Sequence, residues 1–251
     1  MGNSESYFIY GMHAVQAVLE KEPNNLVRIW LEQSRRDQRG STIMALAKQN
    51  GIPVERVKRD ELDKRVPEGK HQGVVAESRA KTALDEEGLK QLLDNLDEAP
   101  LLLVLDGVTD PHNLGACLRT ADGAGVHAVI VPRDKACGLT PVVRKVASGA
   151  AETVPLVQVT NLARTLKALK QRNIWLMGTD LDTEQELYQA DMTGPLALVM
   201  GAEGKGMRRL TRENCDFLVK LPMQGAVQSL NVSVSTGICL YEAVRQRKAK
   251  T

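Results

Sequence analysis

The sequence predicts an α/β protein in two parts, on three observations. From Leu101 onward, short apolar runs alternate with helical segments; residues 1–78 carry a smaller α/β pattern; residues 79–100 between them hold six acidic and three basic side chains. Short β-rich runs separated by helices imply parallel βα units, whose sheet is buried under helices on both faces. A chain of 251 residues accommodates one large domain or two ordinary ones.

In the first part, residues 10–19 read as an amphipathic helix, 27–31 as a strand, 41–49 as a helix, and 52–57 and 71–76 as strands. The connector 79–100 carries a helix with Leu89, Leu92, Leu93 and Leu96. It is expected to end at Ala99-Pro100, because the residue before proline is driven out of the helical region. In the second part, 101–251, strands are expected at 101–105, 128–131, 154–159, 174–177, 196–200 and 217–221. The helix after Asp110 has Leu114, Cys117, Leu118 and Ala121 at helical spacing, which makes them its buried stripe. At about 100° per residue Arg119 points away from that stripe, so it is either solvated or presented to something. The final helix, 232–244, is apolar on nearly every side, as in helices covered by a second layer or a second subunit.

Composition narrows the function. With two Phe and two Trp, the core rests on Leu, Val, Ile and Ala. A net charge of +2 gives no bulk attraction to nucleic acid, so any basic surface must be local. Such local clusters exist: Arg35, Arg36 and Arg39 in one expected loop, and Lys58, Arg59, Lys64 and Arg65 in another. Singly these are ordinary surface charge; as two clusters on a segment without a catalytic loop, phosphate contact is the better reading. Cys117, Cys137, Cys215 and Cys239 lie far apart with no CxxC pair, which speaks against a metal site or disulfide framework and for a reducing compartment. The N-terminus shows no basic-then-apolar leader and no run reaches the ~18 apolar residues of a membrane span, so a cytoplasmic protein without membrane association is expected.

Ligands of parallel sheets bind outside the carboxyl ends of the strands, and three loops placed there are unusual. Asp106-Gly-Val-Thr-Asp-Pro-His-Asn-Leu-Gly115 leads into the helix of Arg119. Gly201-Ala-Glu-Gly-Lys-Gly-Met207 follows the strand at 196–200, and Leu221-Pro-Met-Gln-Gly-Ala-Val-Gln-Ser-Leu-Asn231 precedes the last helix. The glycine spacing of the second loop is neither GxGxxG nor GxxxxGK[ST], which removes the dinucleotide and Walker phosphate fingerprints. It is either a flexible turn or a backbone passing close to a ligand. Glu203, between glycines, is a candidate for a substrate or general-base contact. Ser229 or Asn231 read locally as a cap of the last helix. His71 and His112 read as loop hydrogen-bonders.

Taken in order, Asn113-x-Gly115-x-x-x-Arg119, then Leu198 through Gly206, then Leu221-Pro222-Met223 through Ser229-Leu230-Asn231-Val232-Ser233, resemble the three motifs of the SpoU/TrmH branch of the SPOUT RNA methyltransferases. The resemblance extends from Tyr10-Gly11-x-His13 through His71-Gln72-Gly73 to Arg247, nearly the whole chain. It is nearest to members that methylate a guanosine ribose 2′-oxygen in large-subunit (23S) ribosomal RNA. It implies a trefoil-knotted C-terminal methyltransferase domain, a small ribosomal-protein-like RNA-binding domain before it, and a homodimer. It also implies S-adenosylmethionine as methyl donor, without a metal. Its pocket would be lined by Gly201, Leu221 and Leu230, with Thr179, Met200, Met223, Ser229 and Asn231 nearby. Arg119 would bind the phosphate beside the target and stabilise the developing alkoxide. Asn113 would orient the ribose or Arg119, and Glu203, Ser229 and Asn231 would complete the hydrogen-bond net. A transfer RNA methyltransferase of the same family, or a non-catalytic ribosome-assembly factor, are the alternatives.

Overall fold

The computed structural model describes residues 6–67, 69–79 and 82–249. The first five residues of the small segment, residue 68, two connector residues and the last two of the chain lie outside them. The chain divides into two compact units, Met1–Thr82 with Ser148–Thr153, and Ala83–Ala147 with Val154–Thr251.

The smaller unit contains β1 (Ser6–Tyr10), α1 (Met12–Lys21), β2 (Leu26–Glu32), α2 (Gln38–Gln49), β3 (Val54–Val57), α3 (Arg59–Arg65) and β4 (Val74–Arg79). The sheet order is β1-β4-β2-β3, with β2 and β3 parallel and the other pairs antiparallel. Ile9, Ile29, Leu31, Val74 and Ala76 face α1 and α2, while Trp30 and Val75 face Leu62 and Val66 at α3. The helix expected at 41–49 starts earlier, at Gln38, and the strand expected at 52–57 later, at Val54; two further boundaries move at a turn. The helix placed at 10–19 starts at Met12, because Gly11 takes φ +93° and ends β1, a strand the periodicity did not reveal. The strand placed at 71–76 starts at Val74, because Gln72 and Gly73 both take positive φ and turn the chain.

The larger unit begins with α4 (Glu86–Asp94), capped by Asp85, whose carboxylate accepts from the Gly88 N–H. This helix stops at Asn95, short of the expected proline, leaving Leu96 outside it. The acidic residues Asp94, Asp97 and Glu98 oppose continuation at a helix C-terminus, where the dipole is negative. There follow β5 (Leu101–Asp106), α5 (Pro111–Gly123), β6 (Ala128–Pro132), α6 (Pro141–Ala147), the short α7 (Ala150–Thr153) that groups with the smaller unit, and β7 (Leu156–Val159). The chain then continues as α8 (Leu162–Gln171), β8 (Trp175–Thr179), β9 (Leu196–Gly201), α9 (Arg209–Asn214), β10 (Phe217–Val219) and α10 (Val232–Ala249). The strand placed at 154–159 starts late because Pro155 has no N–H for the ladder.

The six strands form one sheet in the order β10-β8-β9-β5-β6-β7, every neighbour parallel, as the alternation of elements predicted. On one face Leu102, Val104, Ile130, Val157, Ala197 and Val199 pack against Leu89 of α4 and Leu162, Leu166 and Leu169 of α8. Alternate residues such as Leu103, Leu105 and Leu198 turn to the other face, which α10 helps to cover, and are likewise fully buried. Leu114, Cys117, Leu118 and Ala121 are the buried stripe of α5, and Arg119 is exposed, as read from the spacing. Gly115 has a packing role: a Cβ there would lie 2.6 Å from the Val146 Cβ and 2.9 Å from the Val143 carbonyl. Only glycine lets α5 and α6 approach so closely.

Candidate functional site

The strand order reverses between β5 and β9, since the chain runs outward through β6 and β7 and returns to place β9 on the other side of β5. Crevices form at the carboxyl ends where strand order switches. Here Asp106 pairs in register with Gly201, so the first two unusual loops leave the sheet side by side. On the far side of β9, Thr179 of β8 pairs with Val219 of β10, which delivers the third loop to the same end. Beyond Val219 the chain changes partner, Lys220 bridging to Glu186, so the strand placed at 217–221 is shorter and Leu221–Met223 belong to the loop.

These ends enclose a cleft of about 400 Å³, within the usual range for a small-molecule site. All eight residues expected around a cofactor line it: Thr179 from β8, Met200 and Gly201 from β9, and Leu221, Met223, Ser229, Leu230 and Asn231 from the third loop. Sequence reasoning missed Asp180, Leu181 and Lys220, which also line it. Their signal was position, immediately beyond β8 and β10, but it is legible only once those strands are known to be neighbours of β9. The glycines of the second loop serve the loop itself. A Cβ at Gly201 would stand 2.3 Å from the Gly206 carbonyl carbon, because Ala202 and Gly206 exchange backbone hydrogen bonds at 3.1 and 2.9 Å. Gly204 and Gly206 take φ of +72° and +63°. The result is a tight hairpin that projects Glu203.

Glu203 joins residues far apart in sequence. Its Oε1 accepts from Asn113 Nδ2 at 3.3 Å, from Asn231 Nδ2 at 2.5 Å and from the Val232 N–H at 3.3 Å. Asn231 Nδ2 also donates to Asn113 Oδ1 at 2.9 Å. On its other side, Asn231 Oδ1 accepts from the Ser233 N–H at 2.9 Å and from the Ser233 hydroxyl at 2.6 Å. Asn231 is therefore both the helix cap and a member of the site. With three donors on one carboxylate oxygen, Glu203 acts as a fixed strut between the loops, and its negative charge sits at the positive N-terminal end of α10.

The structure separates the other expected residues. Ser229 lines the cleft but makes none of the bonds in this net; Ser233 takes that place. Asn113 is held by Glu203 and Asn231 rather than by Arg119. Arg119 is exposed on α5, lines no part of the cleft, and has no hydrogen bond or ion pair among the described residues. His71 is a loop hydrogen-bonder, its Nδ1 accepting from the Gly73 N–H at 3.0 Å and its Nε2 lying 2.9 Å from Asp63. The four cysteines are free. Burial pushes the thiol of Cys117 up to about 11 and those of Cys215 and Cys239 up to about 12, so these three offer no thiolate near neutral pH. Among the described residues there is no group of three metal-ligating side chains, and no helix is long and apolar enough to cross a membrane.

The basic clusters of the smaller unit sit differently from the two loops expected. Arg59, Lys64 and Arg65 lie on helix α3, and Arg39 in the first turn of α2. The parallel pairing of β2 and β3 brings the chain after both strands together: Gln33 donates its N–H to Val57 at 2.9 Å, and Arg59 lies 3.7 Å from Glu32. Arg35 is clamped by Asp37 and the Gln72 carbonyl, and Arg65 lies over the Trp30 ring at 4.4 Å. Arg36, Arg39, Lys58 and Lys64 are exposed. The segments after β2 and β3 thus lie side by side, while α2 and α3 carry their cations on opposite faces of the sheet.

Residues 100–241 match the SpoU rRNA Methylase family, and residues 8–83 the family described as RNA 2′-O ribose methyltransferase substrate binding. The chain is 63% identical over 242 residues to the 23S rRNA (guanosine-2′-O-)-methyltransferase RlmB of Pseudomonas putida, covering 96% of this chain and 97% of that protein. It is 58% identical over 239 residues to the protein of the same name from Pseudomonas aeruginosa, covering 95% and 96%. Among solved structures, the SpoU methyltransferase AviRb from Streptomyces viridochromogenes superposes with a TM-score of 0.75 at 25% identity, covering 98% of this chain and 91% of that one. A second AviRb structure, at 24% identity and TM-score 0.73, was determined with AdoMet and covers 97% and 91%.

Proposed function

The chain belongs to the SpoU rRNA methylase family, and from that premise we propose that it methylates the ribose 2′-oxygen of a guanosine in 23S ribosomal RNA, with S-adenosylmethionine as methyl donor. The observation that carries the reading is the meeting of Asn113 from the first turn of α5, Glu203 from the loop after β9 and Asn231 from the loop before α10, beside a cleft lined by every residue expected to hold the donor. The cleft fits that molecule chemically. Leu221, Met223 and Leu230 offer apolar surface to an adenine ring, and Gly201 brings its backbone to the cleft wall. When bound, S-adenosylmethionine supplies an electrophilic sulfonium methyl.

The chain's own residues then have to position a hydroxyl and stabilise the oxyanion that forms from it. The Glu203 strut holds Asn113 and Asn231 rigid, so that a ribose set against them meets a fixed edge. A guanidinium is a poor proton acceptor and a good donor to oxyanions, which suits Arg119 to phosphate binding and alkoxide stabilisation. Because Arg119 lies outside its own chain's cleft, it serves the neighbouring subunit's site in a homodimer. The face beside it supports that assembly: Val234 and Tyr241 of α10 are 50% and 53% exposed, and a Cβ at Gly123 of α5 would lie 3.1 Å from the Tyr241 hydroxyl. Val234→Glu charges this face without touching the buried core. It should convert the dimer to a monomer in light scattering and abolish turnover while S-adenosylmethionine still binds. A wild-type monomer with full activity removes the shared-site reading.

Residues 1–78 dock the RNA, 79–100 link, and 101–251 carry the knotted catalytic domain; the protein works in the cytoplasm. Mapping ribose methylation on 23S rRNA incubated with the purified chain and labelled donor tests the activity directly: one methylated guanosine is expected. A chain beginning at Leu84 keeps the Leu84–Val157 bridge of the larger unit. It should bind the donor normally but methylate the RNA much more weakly, with a flatter salt dependence from the loss of roughly two or three phosphate contacts. Equal rates and equal salt slopes for the two chains would show that the smaller unit does not dock the RNA.

A further inference from the structure

A second cleft, of about 430 Å³, opens on the opposite side of Glu203, between the loop after β5 and the chain after β9. It shares Ala202, Glu203, Gly206 and Val232 with the donor cleft, so the Glu203 strut stands at the boundary of the two. Its floor holds a carboxylate and a guanidinium in an unusual balance. The side chain of Asp106, at the end of β5, is wholly buried, whereas that of Arg208 is 49% exposed. Asp106 Oδ1 accepts from Arg208 Nε at 2.6 Å and lies 2.5 Å from Nη2, while Oδ2 accepts from the Arg208 backbone N–H at 2.9 Å. One carboxylate therefore holds both the backbone and the side chain of Arg208 in place.

The chemistry of the fork decides what is left over. Guanidinium presents N–H pairs along two edges, one from Nε and Nη2, the other from Nη1 and Nη2. Asp106 occupies the first. The second has no partner among the described residues, and it belongs to a residue that lines the cleft. A planar pair of donors, immobilised by a buried carboxylate, matches the two acceptors O6 and N7 on the Hoogsteen edge of guanine. Adenine offers N7 but presents a donor where O6 would be. We infer that this second cleft takes the target nucleotide and that Arg208, oriented by Asp106, is the residue that reads its base as guanine. The inference rests on the guanosine assignment above and adds to it the residue that makes the choice. Asp106 is a positioning residue, acting through Arg208.

The test uses the full chain, labelled S-adenosylmethionine and a 23S rRNA fragment carrying either guanosine or 7-deazaguanosine at the methylated position. Loss of the N7 acceptor should lower kcat/KM of the wild-type protein on the order of 10- to 100-fold, the scale of one bidentate base contact. Arg208→Lys keeps a cation beside Asp106 but loses the second edge of the fork. It should bind the donor normally, lose a comparable factor on guanosine, and treat the two RNAs alike, because the two changes remove the same contact. Equal wild-type rates on both RNAs would overturn the inference without needing any variant, and so would an Arg208→Lys protein that keeps the full discrimination. Those results would be expected if Arg208 only bound phosphate. A wild-type chain that transfers no methyl group to the unmodified fragment would overturn the activity itself, and this inference with it.

Discussion

Arg119→Ala is expected to lower turnover on 23S rRNA on the order of 10²-fold or more while leaving the affinity for S-adenosylmethionine nearly unchanged. The magnitude is that of removing a donor aimed at a developing oxyanion. The selectivity follows from placement: Arg119 is exposed, lies outside the donor cleft, and has no hydrogen bond or ion pair among the described residues. Its truncation should therefore cost little stability, within about 0.5 kcal/mol, as for other surface positions. Single-turnover rates and donor-binding calorimetry on the same preparation separate the two effects. Arg119→Lys should recover little, since an ammonium cannot grip phosphate through a planar fork. Full activity in the alanine variant would remove Arg119 from the chemistry.

Gly201→Ala should be the most damaging single methyl group in the donor site. The added carbon would stand 2.3 Å from the Gly206 carbonyl carbon and 2.4 Å from the Met207 nitrogen, both backbone atoms that no rotamer change can move aside. The hairpin would have to open, displacing Glu203 and with it the bonds to Asn113 and Asn231. Donor affinity should fall on the order of 10²-fold, with a lowered melting temperature, as expected when a close backbone approach is blocked and a charge-assisted net is broken. Gly225→Ala, in the third loop where a Cβ would meet nothing within 4 Å, is the matched control and should change neither quantity. An unchanged dissociation constant and melting temperature in Gly201→Ala would show that the hairpin is not what holds the site together.

The elements that were legible in the sequence are those whose signal is local. The stripe Leu114, Cys117, Leu118 and Ala121 is read from a 3.6-residue period, and the same count turns Arg119 outward. The elements missed are those whose limits depend on partners. β1 is recognisable only by its pairing with β4, and the turn at Gln72–Gly73 by its positive φ values. Helix α3, seven residues long and highly charged, owes its place to Leu62 and Val66 packing under Trp30.

For this protein, the sequence by itself determined the α/β class, the parallel sheet, the three loops that matter and the residue types in them. Periodicity, glycine spacing and motif order are properties of short stretches of chain. Only the tertiary structure decided what those residues do together. The order β10-β8-β9-β5 is set by non-local strand pairing, and it alone brings Glu203 within hydrogen-bond reach of both Asn113 and Asn231. The parallel pairing of β2 with β3 likewise brings the segments that follow the two strands side by side. Burial of Asp106 then selects which edge of Arg208 is left to meet a ligand, because a carboxylate removed from water must find its donors inside the protein.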